Sequence, residues 1–137
     1  MPQKPPLELK ISEDGSSTLY RPDLDEHYHS IHGAVQESTH IFINAGLKHC
    51  SEQTVHILEI GFGTGLNVLL TMFNAENRQI VYHSIEKFPV APEIIEHINY
   101  PEILGEKARI WFDKIHEASW NIEVEITPLF ILNKIEP

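Results

Sequence analysis

Cysteine, basic residues and long apolar runs are all scarce in this chain of 137 residues. Cys50 is its single cysteine, which excludes an internal disulfide and a Cys-x-x-Cys metal or redox site. No apolar run approaches the roughly 18–20 residues of a membrane span. Residues 1–6 contain three prolines and no apolar core of a secretory signal. These absences predict a soluble cytoplasmic protein with no membrane partner.

Acidic residues outnumber basic residues two to one. Ten Lys and Arg stand against twenty Asp and Glu, for a net charge of −10. This balance argues against a general polyanion-binding surface. The hydrophobic fraction of 42% and the charged fraction of 22% are typical of a globular protein, and the length suits one folded core.

The order of the predicted elements indicates an α/β protein. Alternating apolar residues at 7–11 and the short run 18–20 predict a β-hairpin around Gly15, which we assign to an N-terminal β appendage over residues 1–24. Strands are predicted at 54–60, at 79–85 and within 122–135 around residues 130–132, with helices at 34–48, 66–73, 92–98 and 106–117. Strands that alternate with helices predict a parallel, doubly wound sheet with three core strands.

The clearest chemical signal is a glycine loop between a predicted strand and a predicted helix, in the sequence LEIGFGTGLN. Glycines at such a point let the backbone approach a ligand, and the helix behind them offers free N–H groups. A dinucleotide fingerprint would need glycine where Leu66 stands, and a P-loop lysine is absent. The pattern, headed by Glu59, resembles motif I of class I methyltransferases that use S-adenosyl-L-methionine (AdoMet). An acidic residue beside the loop suits the cationic sulfonium and amino-acid head of that ligand.

Glu86 ends the second predicted strand, 21 residues after Gly65. A carboxylate at this point can accept hydrogen bonds from both hydroxyls of a ribose. The alternative interpretation is a glycine-rich turn followed by a surface glutamate.

A histidine-rich segment precedes the first core helix. A zinc set is one interpretation, since imidazoles and carboxylates are zinc ligands; its members would be His27, His29, His32, His40, Glu26 and Glu37. The spacing argues against it, because His32 does not join His27 and His29 on one strand face and no His-x-x-x-His pair is present. The other interpretations are a polar wall of the ligand cleft, which Gln36 and Glu37 would share, and a structural cluster.

Three segments together resemble the MnmC/MnmD-type methyltransferases: residues 25–38 with 40–43, residues 58–67 and residues 82–89. The resemblance extends to about Lys134. It implies AdoMet as cofactor, tRNA as substrate, and methyl transfer to the aminomethyl nitrogen on C5 of the wobble uridine. It also implies a set of cofactor-binding residues: Glu59, Gly61, Phe62, Gly63, Thr64, Gly65, Asn67, Glu86 and Lys87. The residues assigned to the substrate cleft are Tyr28, His29, Ser30, Gln36 and Glu37.

The same resemblance predicts more chain than is present. It implies a Rossmann-like class I sheet of which residues 25–137 form the N-terminal portion, and the family's Asp-x-Phe-x-Pro-like motif is absent, so the catalytic residue stays unknown. We therefore expect a chain truncated at its C-terminus, with a non-catalytic AdoMet-binding remnant as the alternative function. We also expect an exposed apolar sheet edge that favours self-association. A tRNA-binding basic surface would then lie in the missing part or on a partner.

Overall fold

The computed structural model describes residues 6–29 and 33–137. Its strands are β1 (Glu8–Ile11), β2 (Ser17–Arg21), β3 (Glu26–His27), β4 (Thr54–Ile60), β5 (Gln79–Ile85), β6 (Glu123–Thr127) and β7 (Phe130–Ile135). Its α-helices are α1 (Ala34–Ser38), α2 (Leu66–Phe73), α3 (Pro92–Ile95), α4 (Tyr100–Leu104) and α5 (Glu106–Glu117). None of the helices in these two ranges is long and apolar enough to cross a membrane.

The N-terminal strands form a small antiparallel sheet in the order β1-β2-β3. The hairpin of β1 and β2 agrees with the predicted one, and its turn contains Gly15 at a φ of 86°. β3 pairs with β2 through Tyr20 and His27 and was not predicted, because two residues carry no detectable alternation.

The central sheet has four strands in the order β4-β5-β7-β6. β4, β5 and β7 are parallel, as predicted, but β6 runs antiparallel to β7, so the prediction of a wholly parallel sheet with three core strands is wrong. The tight connection at Pro128 and Leu129 makes β6 and β7 a hairpin. β6 was not predicted because Glu123 and Glu125, on its exposed side, interrupt the apolar residues of this short strand.

Two predicted helices are broken into shorter pieces. The helix expected over 34–48 is α1 followed by a π-helical segment, Thr39–Asn44, and a 3-10 turn, Leu47–His49. The helix expected over 92–98 ends at Ile95, and α4 follows as a separate helix with Pro101 in its first turn. A proline there fits a helix start and prevents a continuous helix from Pro92.

The helices cover one face of the central sheet. Phe42 of the π-helical segment packs its ring 6.4 Å from that of Tyr82, and α2 packs against α5. The side chains on this covered face are largely buried: Val55, Glu59, Ile80, Tyr82, Ser84, Phe130, Leu132 and Lys134. The opposite, open face contains Leu58 and Ile60, which are 67% and 76% exposed.

Candidate functional site

The glycine loop, residues 61–65, joins the end of β4 to the start of α2. Gly61, Gly63 and Gly65 have φ values of 94°, 57° and 81°, a backbone region that residues other than glycine rarely adopt. The loop is closed by a hydrogen bond from the Gly65 N–H to the Phe62 carbonyl (3.0 Å) and joined to β5 by one from Gly61 to the Ile85 carbonyl (2.7 Å). The glycine spacing therefore reflects a backbone path that needs glycine at all three positions.

Glu86 lies beside this loop at the end of β5. Its Oε1 accepts a hydrogen bond from the Gly63 N–H at 2.9 Å, and its Oε2 accepts one from the Phe88 N–H at 3.2 Å. The carboxylate and the middle of the glycine loop, 23 positions apart in sequence, thus meet at one point. Each oxygen keeps a lone pair for a further donor.

Glu59 is buried under the loop, with 7% of its surface exposed. Its carboxylate accepts hydrogen bonds from Ser84 Oγ at 2.7 Å and from Asn67 Nδ2 at 2.9 Å, which tie β4 to β5 and to α2. Burial raises the pKa of Glu59, and these hydrogen bonds offset part of that rise. The other amide atom, Asn67 Oδ1, is buried without a hydrogen-bond partner among residues 6–29 and 33–137.

Tyr28, His29 and Glu37 form the wall that faces the loop. The Tyr28 ring lies against Gly63, where an added Cβ would approach its Cδ2 to 3.1 Å. Burial, and then the nearby Glu86 carboxylate, raise the pKa of the Tyr28 hydroxyl. His29 Nδ1 lies 3.8 Å from Glu37 Oε1, and burial lowers the pKa of His29. The burial that lowers this pKa favours the neutral form of the His29 imidazole at the wall.

The turn of the N-terminal hairpin fixes this wall by capping α1. The first three backbone N–H groups of the helix donate to Ser12 Oγ, Ser16 Oγ and Asp14 Oδ2, at distances of 3.1, 3.1 and 3.0 Å. The side chains of the turn thus satisfy N–H groups that a helix start leaves without partners. Tyr28 is held to β2 by its N–H, which donates to the Leu19 carbonyl.

Between the wall and the loop lies a cavity of about 460 Å³, a size typical of small-ligand sites. Its lining combines predicted residues with apolar ones that the sequence analysis missed: Tyr28, His29, Glu37, Ser38, Ile41, Phe42, Leu58, Glu59, Ile60, Gly61, Phe62, Gly63 and Asn67. The sequence signal that could have found Leu58 and Ile60 is their position at the carboxyl end of β4, directly before the glycine loop.

Other predicted residues lie away from the cavity. Lys87 is exposed, with Nζ 5.5 Å from the centre of the Phe88 ring, and Gln36 is exposed on α1. Thr64 and Gly65 belong to the loop but are buried and do not line the cavity. Ser30 lies outside the described residues.

The histidines do not assemble into a metal site within residues 6–29 and 33–137, where no group of three or more His, Cys, Asp or Glu side chains could hold an ion. His27 instead packs its ring 4.7 Å from that of Tyr20. His32, part of the zinc interpretation, lies outside the described residues.

A second cavity, of about 520 Å³, lies on the other side of Phe62, between α3 and α5. Lys134, only 1% exposed, projects into its floor and donates to the His116 carbonyl at 3.2 Å, with Nζ 4.9 Å from the centre of the Trp120 ring. Burial lowers the pKa of Lys134 to about 8. This cavity shares Phe62 and Gly63 with the first, so the loop separates the two.

The site thus belongs to an α/β protein whose glycine loop follows β4, an edge strand of the four-stranded sheet. No family model matches the chain. It is 33% identical over 109 residues to the tRNA 5-methylaminomethyl-2-thiouridine biosynthesis bifunctional protein MnmC of Cupriavidus metallidurans and 35% identical over 96 residues to that of Burkholderia multivorans. These matches cover 74% and 64% of the chain.

The solved structures add a likeness in fold. The crystal structure of MNMC2 from Aquifex aeolicus matches 99% of the chain with a TM-score of 0.64 and 22% sequence identity. This likeness shows the fold alone, whereas the sequence matches to the MnmC relatives support an MnmC-type family. The chain spans 16% and 14% of the two curated relatives and 44% of the Aquifex protein.

Proposed function

We propose that the chain binds AdoMet in the 460 Å³ cavity and is the cofactor-binding part of a methyltransferase for tRNA. The acceptor would be the aminomethyl nitrogen on C5 of the wobble uridine, and the protein would act in the cytoplasm. In this proposal residues 25–137 are part of a Rossmann-like methyltransferase domain, and residues 1–24 are its β appendage. The observation that carries the proposal is the meeting of Glu86 with Gly63 at 2.9 Å.

Residues in and beside the cavity suit the two polar ends of this cofactor. Glu86 is not part of the lining, but it contacts Gly63, which is. Glu86 offers carboxylate lone pairs for ribose hydroxyls at the mouth of the loop. At the other end, Asn67 Oδ1, which has no partner within the described part of the chain, is an acceptor suited to an ammonium group, since a buried polar atom without a partner is costly. Glu59 adds negative charge behind Asn67.

AdoMet supplies a methyl group already activated by its sulfonium. The protein then has to align a neutral amine with that methyl group and exclude water. The wall opposite the loop suits this task, because the pKa of His29 is lowered by burial and a neutral imidazole accepts a hydrogen bond from an amine. Tyr28 and the apolar pair Ile41 and Phe42 would shield the site.

Calorimetry with AdoMet and S-adenosylhomocysteine tests the cofactor assignment. Gly63→Val should weaken binding at least tenfold, because Gly63 has a φ of 57° and its Cβ would meet the Tyr28 ring. Gly105→Val is the matched control, since Gly105 also has a positive φ but lies outside the cavity with open space around it. A folded wild type that binds neither ligand at millimolar concentration would refute the assignment, as would unchanged affinity in Gly63→Val.

The alternative function is a non-catalytic AdoMet-binding remnant. Both candidates predict cofactor binding, but only the first predicts turnover. The deciding assay is methyl transfer to tRNA that carries 5-aminomethyl-uridine at the wobble position. Turnover excludes the remnant, and binding without turnover favours it.

We further propose that two copies associate along the open edge of β4. No strand of the described residues pairs with its outer edge, and Leu58 and Ile60 of this strand are exposed. Light scattering should detect a concentration-dependent dimer that Leu58→Lys abolishes. Ile122→Lys is the control, because Ile122 is 55% exposed but outside the strands. A wild type that stays monomeric at all concentrations would refute this proposal.

A further inference from the structure

The side chain of Tyr100 connects the N-terminal hairpin to the glycine loop. Tyr100 begins α4 and is fully buried. Its hydroxyl donates to the Ser17 carbonyl of β2 at 3.0 Å and lies 2.8 Å from Thr64 Oγ1. A tyrosine has one hydroxyl proton, and the Ser17 carbonyl can only accept. The Thr64 hydroxyl therefore donates to the Tyr100 oxygen.

Thr64 is also held from the other side. Its carbonyl accepts a hydrogen bond from His116 Nε2 of α5 at 2.8 Å. The same nitrogen lies against Gly65, where an added Cβ would approach it to 3.1 Å. Thr64, the residue between the second and third loop glycines, is thus fixed by two helices outside the loop.

The hairpin end of this connection is equally well defined. Asn99, which precedes Tyr100, accepts hydrogen bonds at Oδ1 from the Ser17 N–H and Ser17 Oγ, both at 2.7 Å. Its Nδ2 donates to the Gly15 carbonyl at 2.7 Å. A continuous set of hydrogen bonds therefore runs from the hairpin turn through Asn99 and Tyr100 to the loop.

We propose that Tyr100 is a positioning residue. Its hydroxyl links the N-terminal hairpin to Thr64 and thereby holds the Gly63–Gly65 backbone in the conformation that binds its ligand. The hairpin then serves the site twice, since its turn also caps α1 behind the opposite wall. Both sides of the cavity are fixed by one N-terminal element. The identity of the ligand rests on the proposed function, but the positioning of the loop does not.

A purely structural role is the competing explanation, since the Tyr100 ring packs edge-on against Phe112 at 5.8 Å. Tyr100→Phe keeps that ring and removes only the hydroxyl. Native-state hydrogen exchange of the ligand-free protein separates the two roles. We expect the Gly63 and Gly65 amides to exchange about tenfold faster, as the loss of one buried hydrogen bond implies, with β5 amides unchanged. Tyr20→Phe is the matched control, because it removes a hydroxyl from β2 that bonds only to Asp25 among the described residues.

The second readout is the affinity for S-adenosylhomocysteine, which should fall about tenfold in Tyr100→Phe and stay unchanged in Tyr20→Phe. Loop amides that exchange as in the wild type would overturn the proposal, as would faster exchange with unchanged affinity. If the wild type does not bind this ligand, the proposed function fails, and exchange alone decides the positioning role.

Thr64 provides an independent variant if Tyr100→Phe does not fold. Thr64→Val removes the same hydrogen bond from its other end and should loosen the loop to a similar degree. Thr64→Ser retains the hydroxyl and should restore slow exchange. Equal exchange in these two variants would overturn the proposal.

Discussion

Alternate residues of β4, β5 and β7 have very different surroundings on the two faces of the central sheet. On the covered face, Leu132 and Ile80 are fully buried, and polar residues are paired, as Ser84 is with Glu59. On the open face, Leu58 and Ile60 remain mostly exposed. The covered face thus holds the core and the supports of the glycine loop, whereas the open face contributes apolar surface to the cavity and to a free edge. The two faces of the same strands therefore have different roles, because the described helices pack on one face and not on the other.

The largest expected difference is in stability. Leu132→Ala on the covered face should lower the free energy of unfolding by about 2–5 kcal/mol, because it leaves a cavity in a closed core. Leu58→Ala on the open face should change it by only about 0.5 kcal/mol. Urea unfolding of both variants measures the contrast, and similar losses would show that the open face is also packed in solution.

A smaller effect concerns pH and His116, on the helix that packs over the covered face. Burial lowers the pKa of His116 to about 4 from a usual 6.5. The unfolded chain therefore takes up this proton first as the pH falls, so stability is lost between about pH 6.5 and 4, by at most about 3 kcal/mol.

His116→Gln should remove that part of the pH dependence, as measured by urea unfolding at several pH values. His56→Gln, an exposed position on the open face, is the control and should keep the wild-type profile. A profile in His116→Gln that parallels the wild type would contradict the expectation.

The smallest effect at neutral pH is expected for Lys134→Met. The buried ammonium donates to one carbonyl, and replacing a buried charge with an apolar chain of similar volume is often neutral, so we expect a change of about 1 kcal/mol or less. Because the folded pKa of Lys134 is about 8, below its usual 10.5, wild-type stability should rise with pH across that interval. Lys134→Met should lose this rise, and exposed Lys87→Met should keep it. Thermal unfolding between pH 7 and pH 10 checks both statements.

The sequence predicted the elements that have a clear apolar periodicity or are bounded by glycine and proline. β4, α2 and β5 lie where their apolar runs and the glycines indicated, at Thr54–Ile60, Leu66–Phe73 and Gln79–Ile85. It missed α4, which is short and follows a broken helix, and β6, whose outward residues are acidic. Short elements such as these are stabilised by packing rather than by their own propensity.

The residues of the candidate site also fall into those that the sequence predicted and those that it did not. Gly61, Gly63, Gly65 and Glu86 are recognisable from spacing, because a left-handed backbone path and the end of a parallel strand leave local signals. Tyr100 and His116 have no such signal, since their contacts with Thr64 span 36 and 52 positions. Lys87 and Gln36, which were predicted at the site, are exposed and do not line the cavity.

The sequence by itself determined the strand–glycine loop–helix unit, the acidic residue after the next strand and the acidic net charge, because each depends on local backbone preference or on composition. Only the tertiary structure decided which sheet face is covered, that β6 reverses direction, and that the N-terminal hairpin supports both sides of the cavity. These features arise from contacts between residues far apart in the chain, such as Ser17 with Asn99 and Asp14 with Gln36. Their energies depend on burial and geometry that no local pattern encodes.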